Sequence, residues 1–226
     1  MVDATYFGKR KEGTSWGVIL FRDKTRKENL WWRFVDQEKL IYYKEGREYL
    51  ENLGYTIKSV TSDGFLGLTR VFDNIPFQIC QFHTKKTYIR YLTNNPQTER
   101  GKILLALVKT LSKTNYIIFR DRLRKYIIHY QDVLNQKTHH PSGEWSYTYE
   151  NIRSTLNTLS KYIDYLFTYE RDKRIPKTTN TCEGYFSHAK DIVRIHRGMS
   201  KVFKEKVIER IFLNGSIVLK KKDTKK

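Results

Sequence analysis

Cysteine is scarce in this chain. The 226 residues hold two, Cys80 and Cys182, too few for a disulfide framework, and no charged-then-apolar leader precedes Asp3. A reducing cytoplasm is the expected setting. Long apolar runs are lacking as well. The longest, from Ile103 to Val108, falls far short of the roughly 20 residues a membrane span needs, so no transmembrane segment is expected. Negative charge is in short supply: 24 acidic residues face 43 lysines and arginines, giving +19 and a pI near 9.8. That balance points to a polyanionic partner, nucleic acid first, bound with an affinity that falls steeply with salt. The cations are spread along the whole chain and form a dense run only from Lys220 to Lys226, so the charge belongs to the fold as well as to a tail.

A chain of this length removes roughly 70% of its unfolded surface from water, which suits one composite domain with an insertion. Trp16–Asp23 and Asn29–Asp36 are rich in β-branched and aromatic residues around a polar turn, and predict an antiparallel hairpin after an N-terminal strand. A helix is expected from Tyr43 to Leu53, with Leu50 and Leu53 on one face and Gly54 as its stop. A strand from Tyr55 to Thr61 leads to Asp63, followed by a short helix from Phe65 to Phe72. Pro76–His83 reads as another strand and Lys85–Leu92 as another helix. From Pro96 to Tyr169 the apolar residues recur at helical spacing, interrupted by one polar, turn-rich loop, His139–Trp145. Helices from Asn180 to about Arg197, stopped by Gly198, and from Lys201 to Leu213 complete the pattern.

This order predicts an α/β fold: an RNase H-like mixed sheet flanked by helices, formed by residues 1–95 and 170–226, with an all-α insertion over residues 96–169. In it Asp3, Asp63 and Glu183 are candidate metal ligands and catalytic residues. Three carboxylates drawn from distant parts of a chain are what two hard divalent cations need to clamp the attacking and leaving oxygens of a phosphodiester. Each has a plainer role to compete with: Asp3 as a solvated terminal acid, Asp63-Gly64 as a turn signal, and Glu183 at N3 of a helix capped by Asn180, in a capping box.

The segments Asp3-Ala-Thr-Tyr-Phe7, Ser62-Asp-Gly64, Cys80-Gln-Phe-His83, Thr179-Asn-Thr-Cys-Glu-Gly-Tyr-Phe-Ser187 and Arg197-Gly-Met-Ser200 carry a resemblance. Over nearly its whole length the chain resembles the DDE transposases of the Mutator-like bacterial insertion-sequence group. The Cys-x-x-His after the second Asp and the all-α insertion before the Glu are its most specific marks. The resemblance implies DNA strand cleavage at element ends and attack of the freed 3′-OH on target DNA, supported by two Mg²⁺ ions, for which Mn²⁺ substitutes. It also implies a homodimer or larger synaptic complex. Such transposases carry a helical DNA-binding region ahead of the core, whereas this chain starts two residues before Asp3. The expectation is therefore a truncated or split reading frame whose first strand is incomplete.

His83 is expected to contact substrate or orient Asp63, with Cys80 in the strand core. A zinc site built from Cys80, His83, Cys182 and His188 or His196 lacks compact ligand spacing in its second half. Lys190 and Arg194 share the helix face of Glu183, and with His196 and Arg197 are candidate DNA contacts. Trp145 is a candidate to stack on an unpaired base, or else a plug between insertion helices. The competing functional readings are a catalytically inactive DNA-binding remnant that associates with intact transposase, and an RNase H-like nuclease unrelated to transposition.

Overall fold

The computed structural model describes residues 1–65, 67–196 and 198–215, without the side chain of Arg10. The lysine run from Lys220 to Lys226 lies outside the described residues. The chain forms a mixed α/β protein of two compact units, residues 1–77 with 179–226 and residues 78–178. Among the described residues no helix is long and apolar enough to cross a membrane.

In the first unit β1 (Val2–Phe7), β2 (Trp16–Asp23) and β3 (Glu28–Val35) form an antiparallel sheet in that order. The β2–β3 connection is a side-chain-supported turn: Asp23 Oδ1 accepts from the Thr25 and Arg26 N–H groups at 2.7 and 3.1 Å, and Lys27 takes the left-handed conformation at φ 58°. The first strand, β1, has six residues from Val2 to Phe7, and Asp3 is the second of them. β4 (Val60–Ser62) lies beside β1, and the Val60 N–H donates to the Pro76 carbonyl at 2.9 Å, directly ahead of β5 (Phe77–Ile79).

Both faces of this sheet are covered. Residues directly opposite in an antiparallel pair share a face, so Asp3 with Leu20, Thr5 with Val18 and Phe7 with Trp16 point the same way. That face packs on Cys182, Phe186 and Ala189 of α7 (Asn180–Ile195) and on Ile208 and Phe212 of α8 (Lys201–Asn214). The other face meets α1 (Leu40–Asn52), where Phe21 packs at a 5.1 Å centroid distance edge-on to Trp31 and lies against the fully buried Tyr43. α1 approaches so closely because residue 46 is glycine. A Cβ there would stand 2.8 Å from the Phe21 ring and 2.8 Å from Trp31. Gly46→Ala is expected to destabilise the protein by about 1–3 kcal/mol through overpacking, although alanine is the better helix former by about 1 kcal/mol. Thermal unfolding of the variant checks this, and an unchanged or raised midpoint contradicts it.

The short helix α2 (Leu68–Val71) begins later than its sequence suggests, because Gly64 and Gly67 both take positive φ, 92° and 90°. Leu53 ends α1 as an exposed residue, so Leu50 alone carries the predicted apolar face at that end.

The second unit is built on α3 (Gln81–Leu92), α4 (Glu99–Thr110), α5 (Tyr116–Leu134) and α6 (Glu150–Leu166). Its bounds differ from the expected insertion, 96–169, because α3 packs on α4 and α6 and so joins the helical unit. Thr98 and Asn115 cap α4 and α5, accepting from the Gly101 and Ile118 N–H groups. Leu104, Val108, Leu111, Phe119, Leu159 and Leu166 are fully buried in it. Two buried glutamines finish α6: the Gln78 and Gln81 amides donate to the Leu166 carbonyl at 2.9 and 2.8 Å, and Gln78 Oε1 accepts from the Tyr169 N–H at 2.9 Å. The predicted loop around Trp145 is a small hairpin, β6 (Lys137–His139) against β7 (Trp145–Tyr147), turning through Gly143 at φ 84°.

Candidate functional site

All three predicted acids belong to the first unit, and adjacent elements carry them. Asp3 is buried on β1, on the α7 side of the sheet, and its Oδ1 accepts from the Ala4 N–H at 2.9 Å. Asp63 is the first residue after β4. Its Oδ1 accepts from the Phe65 N–H at 3.1 Å and the Ser62 hydroxyl at 3.2 Å, so the side chain shapes the Asp-Gly turn as well as ending the strand. Glu183 stands half-buried near the start of α7, which rests on β1. The N-cap of that helix is Thr179, whose carbonyl accepts from the Cys182 and Glu183 N–H groups at 2.8 and 3.2 Å. Glu183 therefore falls at N4, and the capping box expected with Asn180 is displaced by one residue.

The charges of these acids reach common neighbours. Burial pushes the Cys182 thiol up to about 12. The N-terminal ammonium opposes that shift most, Asp3 adds to it, Arg22 opposes it, and Glu183 adds to it. On the other side of the sheet burial raises the Tyr43 phenol far above its ordinary range, and Glu38, Asp63 and Asp3 raise it further. Asp3 is thus the acid felt at both positions, once with Glu183 and once with Asp63. Among the described residues, however, no three carboxylates bring ligand oxygens within 4.8 Å of one another. Oxygens around a single Mg²⁺ at about 2.1 Å lie at most about 4.2 Å apart, so these acids do not form a finished single-ion nest.

A fourth carboxylate was not evident from sequence. Glu38, two residues ahead of α1, accepts a hydrogen bond from the Tyr43 hydroxyl, and its own N–H donates to the Tyr6 hydroxyl at 2.8 Å. Burial raises its carboxyl above the usual range; the Tyr43 bond lowers it, and the Asp63 charge raises it again. The only local signal was an acid five residues before a tyrosine, which is common on any helix start.

Cys80 and His83 belong to the second unit. The strand expected from Pro76 to His83 stops at Ile79: Cys80 is the N-cap of α3 and is fully buried, and His83 lies in the first turn. The Cys80 sulfur and a His83 ring nitrogen lie within 4.8 Å of each other, as an i, i+3 pair across a helix start should, and the Phe82 ring meets His83 edge-on at 5.8 Å.

Along α7 the buried stripe is Cys182, Phe186 and Ala189. At 100° per residue Glu183, Lys190 and Arg194 fall within about 40° of one another and roughly 90° round from that stripe. Lys190 and Arg194 are exposed, and Arg194 pairs with Asp191 at 3.1 Å. His196 follows the helix in the open, and Arg197 lies outside the described residues. Trp145 is 48% exposed on the hairpin of the second unit, so it is no plug between helices. The Lys137 ammonium sits 3.8 Å from its ring centre, and Tyr147 meets it edge-on at 5.3 Å.

The Cys182 environment makes a pH prediction. Its folded-state value is raised above that of the unfolded chain, so its contribution to stability is complete below about pH 9 and is lost as the pH climbs toward 12. Unfolding midpoints measured across that window should fall less steeply in Cys182→Ala than in the parent, and parallel curves contradict the assignment.

Comparison with protein-family models, curated proteins and solved structures finds no match to this chain.

Proposed function

We propose that the first unit is an RNase H-like catalytic core and that the chain is the catalytic domain of a DDE transposase of the Mutator-like group, cleaving and joining DNA strands with Asp3, Asp63 and Glu183. One observation carries the reading. Acids from the start, the middle and the far part of the sequence come from β1, the end of β4 and the start of α7, and β1 lies against both other elements, with the Asp3 charge reaching Tyr43 along with that of Asp63 and Cys182 along with that of Glu183.

The donor set fits hard divalent cations, since all three are carboxylates and the charge of Asp63 reaches a fourth, Glu38. Two Mg²⁺ ions bound there would supply charge stabilisation on the phosphodiester and a more acidic attacking water or 3′-OH. The protein's share is orientation. The Ala4 N–H holds one oxygen of Asp3, the Phe65 N–H holds one oxygen of Asp63, and α7 carries Glu183 along the sheet face of Asp3. Lys190, Arg194 and His196 would take the phosphate backbone along α7, Arg197 continues their run in the sequence, and Trp145 with Lys137 offers an unpaired base a stacking face. His83 is assigned to the substrate, and Cys80 is the buried N-cap of its helix. The partners are element-end and target DNA and a second copy of the chain, in a synaptic complex on the bacterial nucleoid.

The separation of the three carboxylates favours one alternative, a DNA-binding protein without catalysis that associates with active transposase. Incubation of supercoiled plasmid with the chain and Mn²⁺, followed by product sequencing, separates the readings. Joined strands support transposition, nicks without joining indicate a plain nuclease, and salt-sensitive binding without nicks supports the alternative.

A further inference from the structure

A buried arginine in the first unit has a place that the acid triad does not explain. Arg22 is 5% exposed, at a break in register between Phe21 and Arg22 where β2 pairs with β3. Such an irregularity re-aims the side chain at that point of the strand. Its guanidinium donates to Asn29 Oδ1 at 2.5 Å and to the Lys27 carbonyl at 2.7 Å, and its carbon stands 4.3 Å from the ring centre of Tyr185. Asn29 extends the cluster: its Nδ2 donates to the Phe212 carbonyl at 3.0 Å and its N–H to the Gly215 carbonyl at 2.6 Å. The Tyr185 ring also packs on Phe212, at 6.4 Å. A charge taken this far from water is costly unless its surroundings are fixed, so the cluster has a definite geometry.

The geometry meets the proposed site at α7. Tyr185 is two residues after Glu183, within the first turns of the helix. Arg22 follows Leu20 on β2, and Leu20 is the partner of Asp3 across the sheet. The Arg22 main chain is tied there too: its N–H donates to the Met1 carbonyl at 2.9 Å, next to the strand residues that hold Asp3. Arg22 therefore joins the backbone beside Asp3 through its main chain, and the β2–β3 turn and the Tyr185 ring through its side chain.

We propose that Arg22 is a positioning residue: through its stack on Tyr185 it sets the rotation and height of the first turns of α7, and so the placement of Glu183 relative to Asp3. This rests on the metal-dependent reading of the three acids. It does not require Arg22 to touch metal or DNA. Lysine cannot replace it, because an ammonium lacks both the fork that reaches Asn29 and Lys27 together and the plane that lies on Tyr185.

The test uses Arg22→Lys, Tyr185→Leu and Tyr185→Phe in the full chain, with Glu183→Gln as reference. Amide exchange of α7 is measured beside Mn²⁺ affinity. The expected result is faster exchange over the first turns of α7, with Mn²⁺ affinity down about 10- to 100-fold, in Arg22→Lys and Tyr185→Leu. Tyr185→Phe keeps the ring and should behave as the parent in both. Should Arg22→Lys fail to fold, Tyr185→Leu carries the same comparison. Unchanged α7 exchange, or faster exchange with Mn²⁺ affinity intact, overturns the positioning role while leaving the triad standing. A parent chain that binds no Mn²⁺ overturns the triad and this inference together.

Discussion

Asp63→Asn should lower divalent-dependent strand cleavage on the order of 10³-fold or more, with the fold intact. The side chain has two separable roles. As a turn residue it accepts from the Phe65 N–H and the Ser62 hydroxyl through Oδ1, and an asparagine carbonyl can accept both. As a metal ligand it needs its negative charge, which asparagine lacks. The unfolding midpoint should therefore stay within a few degrees of the parent while cleavage disappears. Glu183→Gln follows the same logic on α7. Loss of the charge at Asp63 also removes one of the influences that raise the Glu38 carboxyl, so Glu38 should titrate lower in the variant. Cleavage rates on plasmid and a chemical-shift titration of Glu38 check the two halves. A variant that cleaves normally removes Asp63 from the reaction.

The second large effect is on binding. With 43 cationic against 24 acidic side chains, DNA affinity should depend on the release of condensed counterions. If six to ten phosphates are engaged, affinity falls by about 10³ to 10⁵ between 50 and 200 mM salt. Substituting Lys190 or Arg194 should reduce the slope by about one unit each, evenly across sequences, because these residues would meet phosphate and not base edges. Arg194 already holds Asp191 on the surface, an exposed pair that competes weakly. Asp63→Asn should bind with the parent's salt slope. Filter binding or fluorescence anisotropy across a salt series measures it. A salt-insensitive affinity contradicts an electrostatic DNA interface.

The sequence carried some of this architecture openly. The Trp16–Asp23 and Glu28–Val35 hairpin was legible because aromatic and β-branched residues face both helical layers, and the helices of the second unit because their apolar spacing is regular. Pro76–His83 misleads. Gln78 and Gln81 look like solvent-facing positions of a strand, yet both are buried by hydrogen bonds to the end of α6, some 85 residues on, and no local window contains that partner. Trp145 reads from sequence as a loop residue because three-residue strands leave too little alternation to detect. The local settings of the three acids were legible, Asp3 in a strand, Asp63 at a strand end and Glu183 near a helix start. Glu38 was not, since its environment is made by Tyr43 from the next helix and Asp63 from β4. Arg22 was hidden for a similar reason: in sequence it is one cation among 43, and only the sheet and α7 together bury it.

Mn²⁺ binding by calorimetry, on the parent chain beside Asp63→Asn and Glu183→Gln, tests the central claim without any knowledge of the DNA ends. Binding in the parent that both substitutions abolish, at unchanged folding, is the predicted result: distant carboxylates then act as one cation site. A folded parent that binds no Mn²⁺, or variants that bind as the parent does, contradicts the claim and favours the reading without catalysis.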